Sequence, residues 1–177
     1  MEKDWVVLLE QTNFIEKVMN TNQAAERYGL ELTRQDAELI LQERGNALKE
    51  QRRIEFGEGI AEKLIYEFCD SHFLTQDSYA ETIIRLQEIF YLYKNEMNDE
   101  ITDDELLHLM KEQYEQICFG DLDYLETTGL ANFAQAVRAG YGGFQASDGY
   151  GQALQFDEVQ RWDYDLYLET LRELCWG

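Results

Sequence analysis

The sequence predicts a mainly α protein, a single-domain antiparallel helical bundle over residues 1–177, on three observations. The chain contains no proline, where average usage of about 5% would supply about nine. Helices can therefore run uninterrupted and must be ended by glycine or polar caps. Apolar residues make up 45% of the chain and aromatics 13%, enough to bury surface that offsets chain entropy. These residues recur at i, i+3, i+4 and i+7 in one stretch after another, which amounts to about six to eight helices. The length suits one core and is short for two. Three short β-like pieces leave a small two- or three-stranded ribbon open as an addition.

WVVLL at 5–9 is too short to show a period and reads equally as strand or helix. Asn13 followed by Glu16, with Phe14, Ile15, Val18 and Met19 on one face, predicts a separate short helix with a capping arrangement. Gln23 to Tyr28 makes another helical turn, closed by Gly29 in the position that needs a left-handed residue. Thr33 is an N-cap with Asp36 favourably placed in the first turn, and Ala37, Ile40, Leu41, Arg44 and Leu48 follow at helical spacing. Gly45 and Asn46 weaken the middle of that helix. In RRIEFGEG, Ile54 and Phe56 flank Glu55 before two glycines, the signature of an extended hinge or tight turn. Ile60, Ala61, Leu64, Ile65 and Phe68 restart a helical stripe that stops at Cys69–His72.

Ser78 with Glu81 has capping-box spacing and opens a central helix through Ile83, Leu86, Phe90, Tyr93 and Met97. Thr102 with Glu105 is a second capping box, followed by Leu107, Met110, Tyr114 and Ile117 and ended by Gly120. Asp121 caps a helix through Leu125, Phe133 and Val137, in which Gly129 marks a close helix crossing. Residues 140–151, GYGGFQASDGYG, hold five glycines and read as a loop rich in aromatics. ALQF at 153–156 is the third β-like piece, and Asp157 opens a C-terminal helix to about 175.

The formal net charge of -21 repels nucleic-acid backbones and anionic membranes, so neither is expected as a direct partner. The apolar run at 5–9 is far short of a membrane span or a signal-peptide core. Cys69, Cys118 and Cys175 are odd in number, widely spaced and without a CxxC pair, which fits a reducing cytoplasm better than a disulfide framework. Against this acidic background, residues 44–69 gather Arg44, Lys49, Arg52, Arg53 and Lys63, a third of the 15 Lys and Arg residues.

That basic island suggests a ligand site of Arg44, Arg52, Arg53 and Glu55, because guanidinium forks bind carboxylate or phosphate in bidentate fashion. The competing expectation is neutralisation by the protein's own acids, of which residues 95–126 hold eleven against Lys111 alone. Glu105 and His108 have the Glu-x-x-His spacing of carboxylate-bridged metal bundles, but the second such pair and the extra glutamates are missing. Cys69 with His72 sits at a helix C-terminus, where the dipole opposes thiolate formation. No catalytic residue, metal or cofactor is assigned. Tyr141, Phe144, Tyr150 and Trp162 are the aromatic residues expected to meet a protein partner.

The segments YGLELTRQDAELIL, ALKEQRRIEFGEGIAEKLIYEFCDS and YKNEMNDEITDDELLHLMKE resemble an uncharacterised family of small acidic proteins from Firmicutes, over residues 27–125. His72 and Phe73 depart from the Pro and Tyr expected at those positions. The resemblance implies a bacterial cytosolic protein and carries no functional residue with it. With function otherwise unknown, the leading expectation is a non-enzymatic acidic protein-binding module. Two alternatives stand beside it: a nucleic-acid mimic that inhibits a DNA- or RNA-binding protein through the acids of 96–126, and a small-anion binder or enzyme using the arginine island.

Overall fold

A computed structural model describes residues 2–55 and 59–139, with side chains from Trp5 onward. The chain divides into two compact units, Met1–Tyr91 and Leu92–Gly177. Eight α-helices are present among the described residues: α1 Glu2–Asn20, α2 Asn22–Ala25, α3 Arg34–Glu50, α4 Ala61–Phe68, α5 Tyr79–Glu96, α6 Asp103–Gln116, α7 Leu122–Tyr124 and α8 Ala131–Arg138. No strand occurs among them, so the ribbon is not formed there: Trp5–Leu9 lies inside α1, and Arg53–Glu55 has no regular structure. ALQF at 153–156, the loop at 140–151 and the helix expected at 157–175 lie outside the described residues.

In the first unit, α1 is one unbroken helix: of the two readings of residues 5–9 the helix holds, and it runs on into the Asn13–Met19 segment expected as a separate helix. No glycine or proline interrupts residues 2–20. The Thr12 hydroxyl bonds back to the Leu8 carbonyl at 2.8 Å, so the polar pair Thr12–Asn13 is absorbed into the helix instead of starting a new one. Phe14, Ile15 and Val18 anchor its second half in the core, each buried apolar side chain contributing about 1.5–3 kcal/mol. Gly29 closes the 3-10 turn Glu26–Tyr28 in the left-handed conformation, φ 75°, as its position in the sequence requires.

The residues between Gly29 and α3 belong to no regular element and illustrate how backbone groups are satisfied without a sheet. The Asn22 carboxamide donates to the Leu32 carbonyl and accepts from the Leu32 N–H, both at 2.8 Å. The Gln76 carboxamide does the same for Glu31, at 2.9 and 2.7 Å. Two side chains thus supply the bonds a neighbouring strand would otherwise make, while Leu30 and Leu32 are buried.

Thr33 and Asp36 form a reciprocal capping box on α3. The helix continues through Gly45 and Asn46 and ends in a Schellman turn, with Arg52 N–H bonded to Lys49 O and Arg53 N–H to Leu48 O. Arg52 occupies the left-handed position there, φ 55°. Ser78 is part of a 3-10 turn, Gln76–Ser78, and its hydroxyl meets that of Thr75 at 2.9 Å. In the core, Gln87 on α5 donates to the Ile40 carbonyl of α3 at 3.2 Å.

The second unit begins within α5. Lys94 is buried, donates to Ile101 O at 2.7 Å and pairs with Asp103 at 2.8 Å, which ties the turn between α5 and α6. Asn98 and Asp99 take left-handed conformations in that turn, a region these two side chains tolerate. The capping box Thr102–Glu105 opens α6. Asp121 accepts from Tyr124 N–H at 3.0 Å and caps α7. The helix after it is not continuous: Leu125–Gly129 winds as a π-turn before α8. Gly129 lies close to the end of α6 and the turn after it, since an added Cβ would sit 3.6 Å from Gln113 Oε1 and 3.0 Å from Cys118 Sγ.

Candidate functional site

The site grows from the end of α3 and the hinge after it. Glu55 Oε1 accepts three hydrogen bonds: from Arg44 Nε at 3.0 Å, from Arg44 Nη2 at 2.8 Å and from the Tyr91 hydroxyl at 2.6 Å. The Arg44 and Glu55 side chains are 15% and 21% exposed, and Tyr91 is fully buried. Arg44 also lies over the Phe14 ring, 5.8 Å from its centroid, within cation–π range. Burial lowers the Arg44 pKa, but the hydrogen bond and charge of Glu55, together with Tyr91, more than offset this and leave it raised. Burial, then the Glu55 charge and hydrogen bond, push the Tyr91 hydroxyl well above the ordinary tyrosine range, with Arg44 acting against them.

Gly59 closes over this cluster. Its φ is +76°, and a Cβ there would lie 2.6 Å from Arg44 Nε and 2.9 Å from Glu55 Oε1. The backbone conformation favours glycine here, and any larger residue would also have to displace the Arg44 and Glu55 side chains from their present positions.

Beside the cluster, α1 and α3 form a half-open groove with a volume of about 710 Å³. Its α1 wall is the helical row Val7, Glu10, Gln11, Phe14 and Ile15, and its α3 wall is Glu38, Leu41, Gln42 and Gly45. Three carboxylates, Glu10, Glu38 and Glu55, border it against one lining cation, Arg44, which is bonded to Glu55, while Glu38 lies 3.8 Å from Arg34 in an exposed pair. Such a cleft suits an apolar group carrying positive charge and is a poor host for an anion.

Of the ligand residues expected from the sequence, Arg44 and Glu55 come together directly. Arg52 is exposed and Arg53 half-buried in the turn that follows α3, and neither lines the groove. Tyr141, Phe144, Tyr150 and Trp162 lie outside the described residues. Arg44 takes its carboxylate from Glu55 in its own segment. Several acids of 95–126 meet other groups: Asp103 pairs with Lys94, Glu115 with Lys111 and Glu96 with Arg138. Glu105 and Asp121 cap helices, the Glu105 carboxylate accepting from the Thr102 N–H at 2.9 Å. Cys69 is buried with its thiol 3.9 Å from the Tyr66 carbonyl, while His72 is exposed beside Phe73. Among the described residues no group of three or more His, Cys, Asp or Glu residues is placed to hold a metal ion.

Phe14, Tyr91 and Gly59 belong to the site but were not legible as members of it. Phe14 stands out in the sequence only as part of an apolar stripe, and Tyr91 does not stand out from the apolar run that surrounds it. Gly59 appeared as a generic turn residue.

The fold defines the chain as a mainly helical protein whose first unit carries a groove beside an internal ion pair. Residues 17–143 match the family described as "Family of unknown function (DUF6323)", and the chain belongs to that family. No curated protein and no solved structure matches the chain. No helix among the described residues is long and apolar enough to cross a membrane.

Proposed function

We propose that this chain is a non-enzymatic protein-binding module acting in a bacterial cytosol, and that the first half of α1 is its docking element. One observation carries the reading: Trp5, Val6, Val7, Leu8 and Leu9 are five consecutive large apolar residues, all exposed, Trp5 at 69% and Leu9 at 59%. Successive helical residues lie about 100° apart, so these five ring α1 and leave its whole girth over residues 5–9 apolar and exposed. Apolar surface left uncovered in this way marks an interaction site, and tryptophan is among the residue types most enriched in binding hot spots. The segment is held helical by continuity with the half of α1 that Phe14, Ile15 and Val18 anchor. A partner therefore meets a preformed helix and pays little ordering entropy.

The nucleic-acid-mimic alternative has less support, because the acids of 96–126 that cap helices and pair with Lys94, Lys111 and Arg138 are not available as a phosphate-like row. The anion-site alternative is weakened by the carboxylates that border the groove.

The test is a triple variant, Trp5→Ala with Leu8→Ser and Leu9→Ser, compared with wild type in cross-linking capture from bacterial lysate. Wild type is expected to retain a stoichiometric protein that the variant loses, with Tm unchanged because these side chains are exposed. Absence of any retained protein with wild type, or equal retention by the variant, would refute the reading.

A further inference from the structure

Resting on that reading, we infer that the α1–α3 groove receives a basic amphipathic helix of a partner protein, its apolar face between the two walls and its lysines or arginines against Glu10 and Glu38. Three features converge on this occupant. The walls are rows at helical spacing, with Val7, Phe14, Ile15 and Leu41 supplying an apolar floor, the form in which a groove accepts a helix. The bordering charge is negative: Arg44 is held by Glu55, and Glu38 meets Arg34 only in an exposed i,i+4 pair at 3.8 Å, a weak contact that a partner's cation can replace.

The third feature is Gly45. It is an exposed glycine in the interior of α3, and a Cβ built on it meets nothing within 4 Å. Alanine would fit there and is the better helix former, so packing within the protein does not require glycine at this position. What glycine provides is an open floor on the α3 wall, where the backbone of a docked helix can approach closely. Charge also selects against a second copy of this chain, since two molecules of net charge -21 repel one another.

The experiment uses the full chain and a fluorescein-labelled synthetic helix of leucine and lysine, about five turns long, with leucines at i, i+3, i+4 and i+7. A scrambled peptide of the same composition retains the charge and lacks the apolar face. Fluorescence anisotropy is expected to give a Kd on the order of micromolar for the amphipathic peptide and at least about tenfold weaker binding for the scrambled one. Gly45→Phe places a ring in the groove and is expected to weaken binding at least about tenfold without lowering Tm. Glu10→Gln with Glu38→Gln is expected to weaken it about threefold or more and to flatten its salt dependence.

Equal binding by the scrambled peptide, or by Gly45→Phe, overturns the inference. So does a wild-type dimer in sedimentation that Gly45→Phe dissociates, because the occupant would then be a second copy. If Gly45→Phe still captures the protein lost by the Trp5, Leu8 and Leu9 variant, the groove is excluded while the docking role of α1 stands.

Discussion

At the scale of single residues, the cluster of Arg44, Glu55 and Tyr91 shows how far local reading reaches. Arg44 and Glu55 are eleven positions apart and their opposite charges in one hinge were legible together. Tyr91 is 36 positions beyond Glu55, and helical periodicity reports where a tyrosine ring lies but not what its hydroxyl meets. The same limit hid the carboxamides of Asn22 and Gln76, whose partners are set by tertiary placement. Two left-handed residues flank the cluster and give opposite expectations. Gly59→Ala forces a Cβ against Arg44 and Glu55 at an unfavourable φ and is expected to cost about 2–4 kcal/mol in urea denaturation. Arg52→Gly relieves a non-glycine residue at φ 55° and is expected to add up to about 1 kcal/mol. A Gly59→Ala protein as stable as wild type would mean that neither the φ at this position nor the approach to Arg44 and Glu55 constrains the hinge.

At the scale of elements, starts and stops were legible wherever they depend on neighbours in sequence. Thr33 with Asp36 and Thr102 with Glu105 form capping boxes because each side chain needs to reach only three residues. Gly29 and Gly120 take positive φ where helices end. Expected starts failed where a polar residue had a second option: the start at Asn13 is bypassed as Thr12 bonds back into α1, and Ser78 is taken up in a 3-10 turn. The run at 5–9 had no usable period and the alternation of Ile54 and Phe56 around Glu55 is only three residues long, so their fate depends on what surrounds them. The π-turn at Leu125–Gly129 was signalled only by Gly129, which α6 approaches closely. Thr102→Ala is expected to cost about 1 kcal/mol, seen as a lower urea midpoint together with faster amide exchange over Asp103–Leu106. Faster exchange spread evenly along α6, with no added effect in its first turn, would argue that Thr102 is not acting as the cap.

At the scale of the whole molecule, the acidic balance was plain in composition, but the response to pH comes from tyrosines that composition cannot rank. Tyr79, Tyr91, Tyr93 and Tyr114 are all buried. Burial, as the largest cause in each case, raises every one of them, Tyr93 and Tyr114 to about 12. For an acid raised in the fold, the stabilisation is complete below its unfolded pKa of about 10. Above that pH the unfolded chain releases a proton the native state retains, so stability falls until pH passes the folded value. Stability is therefore expected to decline above about pH 10, by about 1.4 kcal/mol per pH unit for each tyrosine still protonated in the fold. Tyr91→Phe removes one such proton, so the slope of unfolding free energy between about pH 10 and 12 should become shallower by that amount. Self-repulsion of the acidic chain also grows as lysines deprotonate, but about 0.5 M NaCl screens exposed charge and leaves the desolvation of buried hydroxyls in place. A slope that disappears in high salt, or that Tyr91→Phe leaves unchanged, would assign the alkaline loss to net charge instead of to these four side chains.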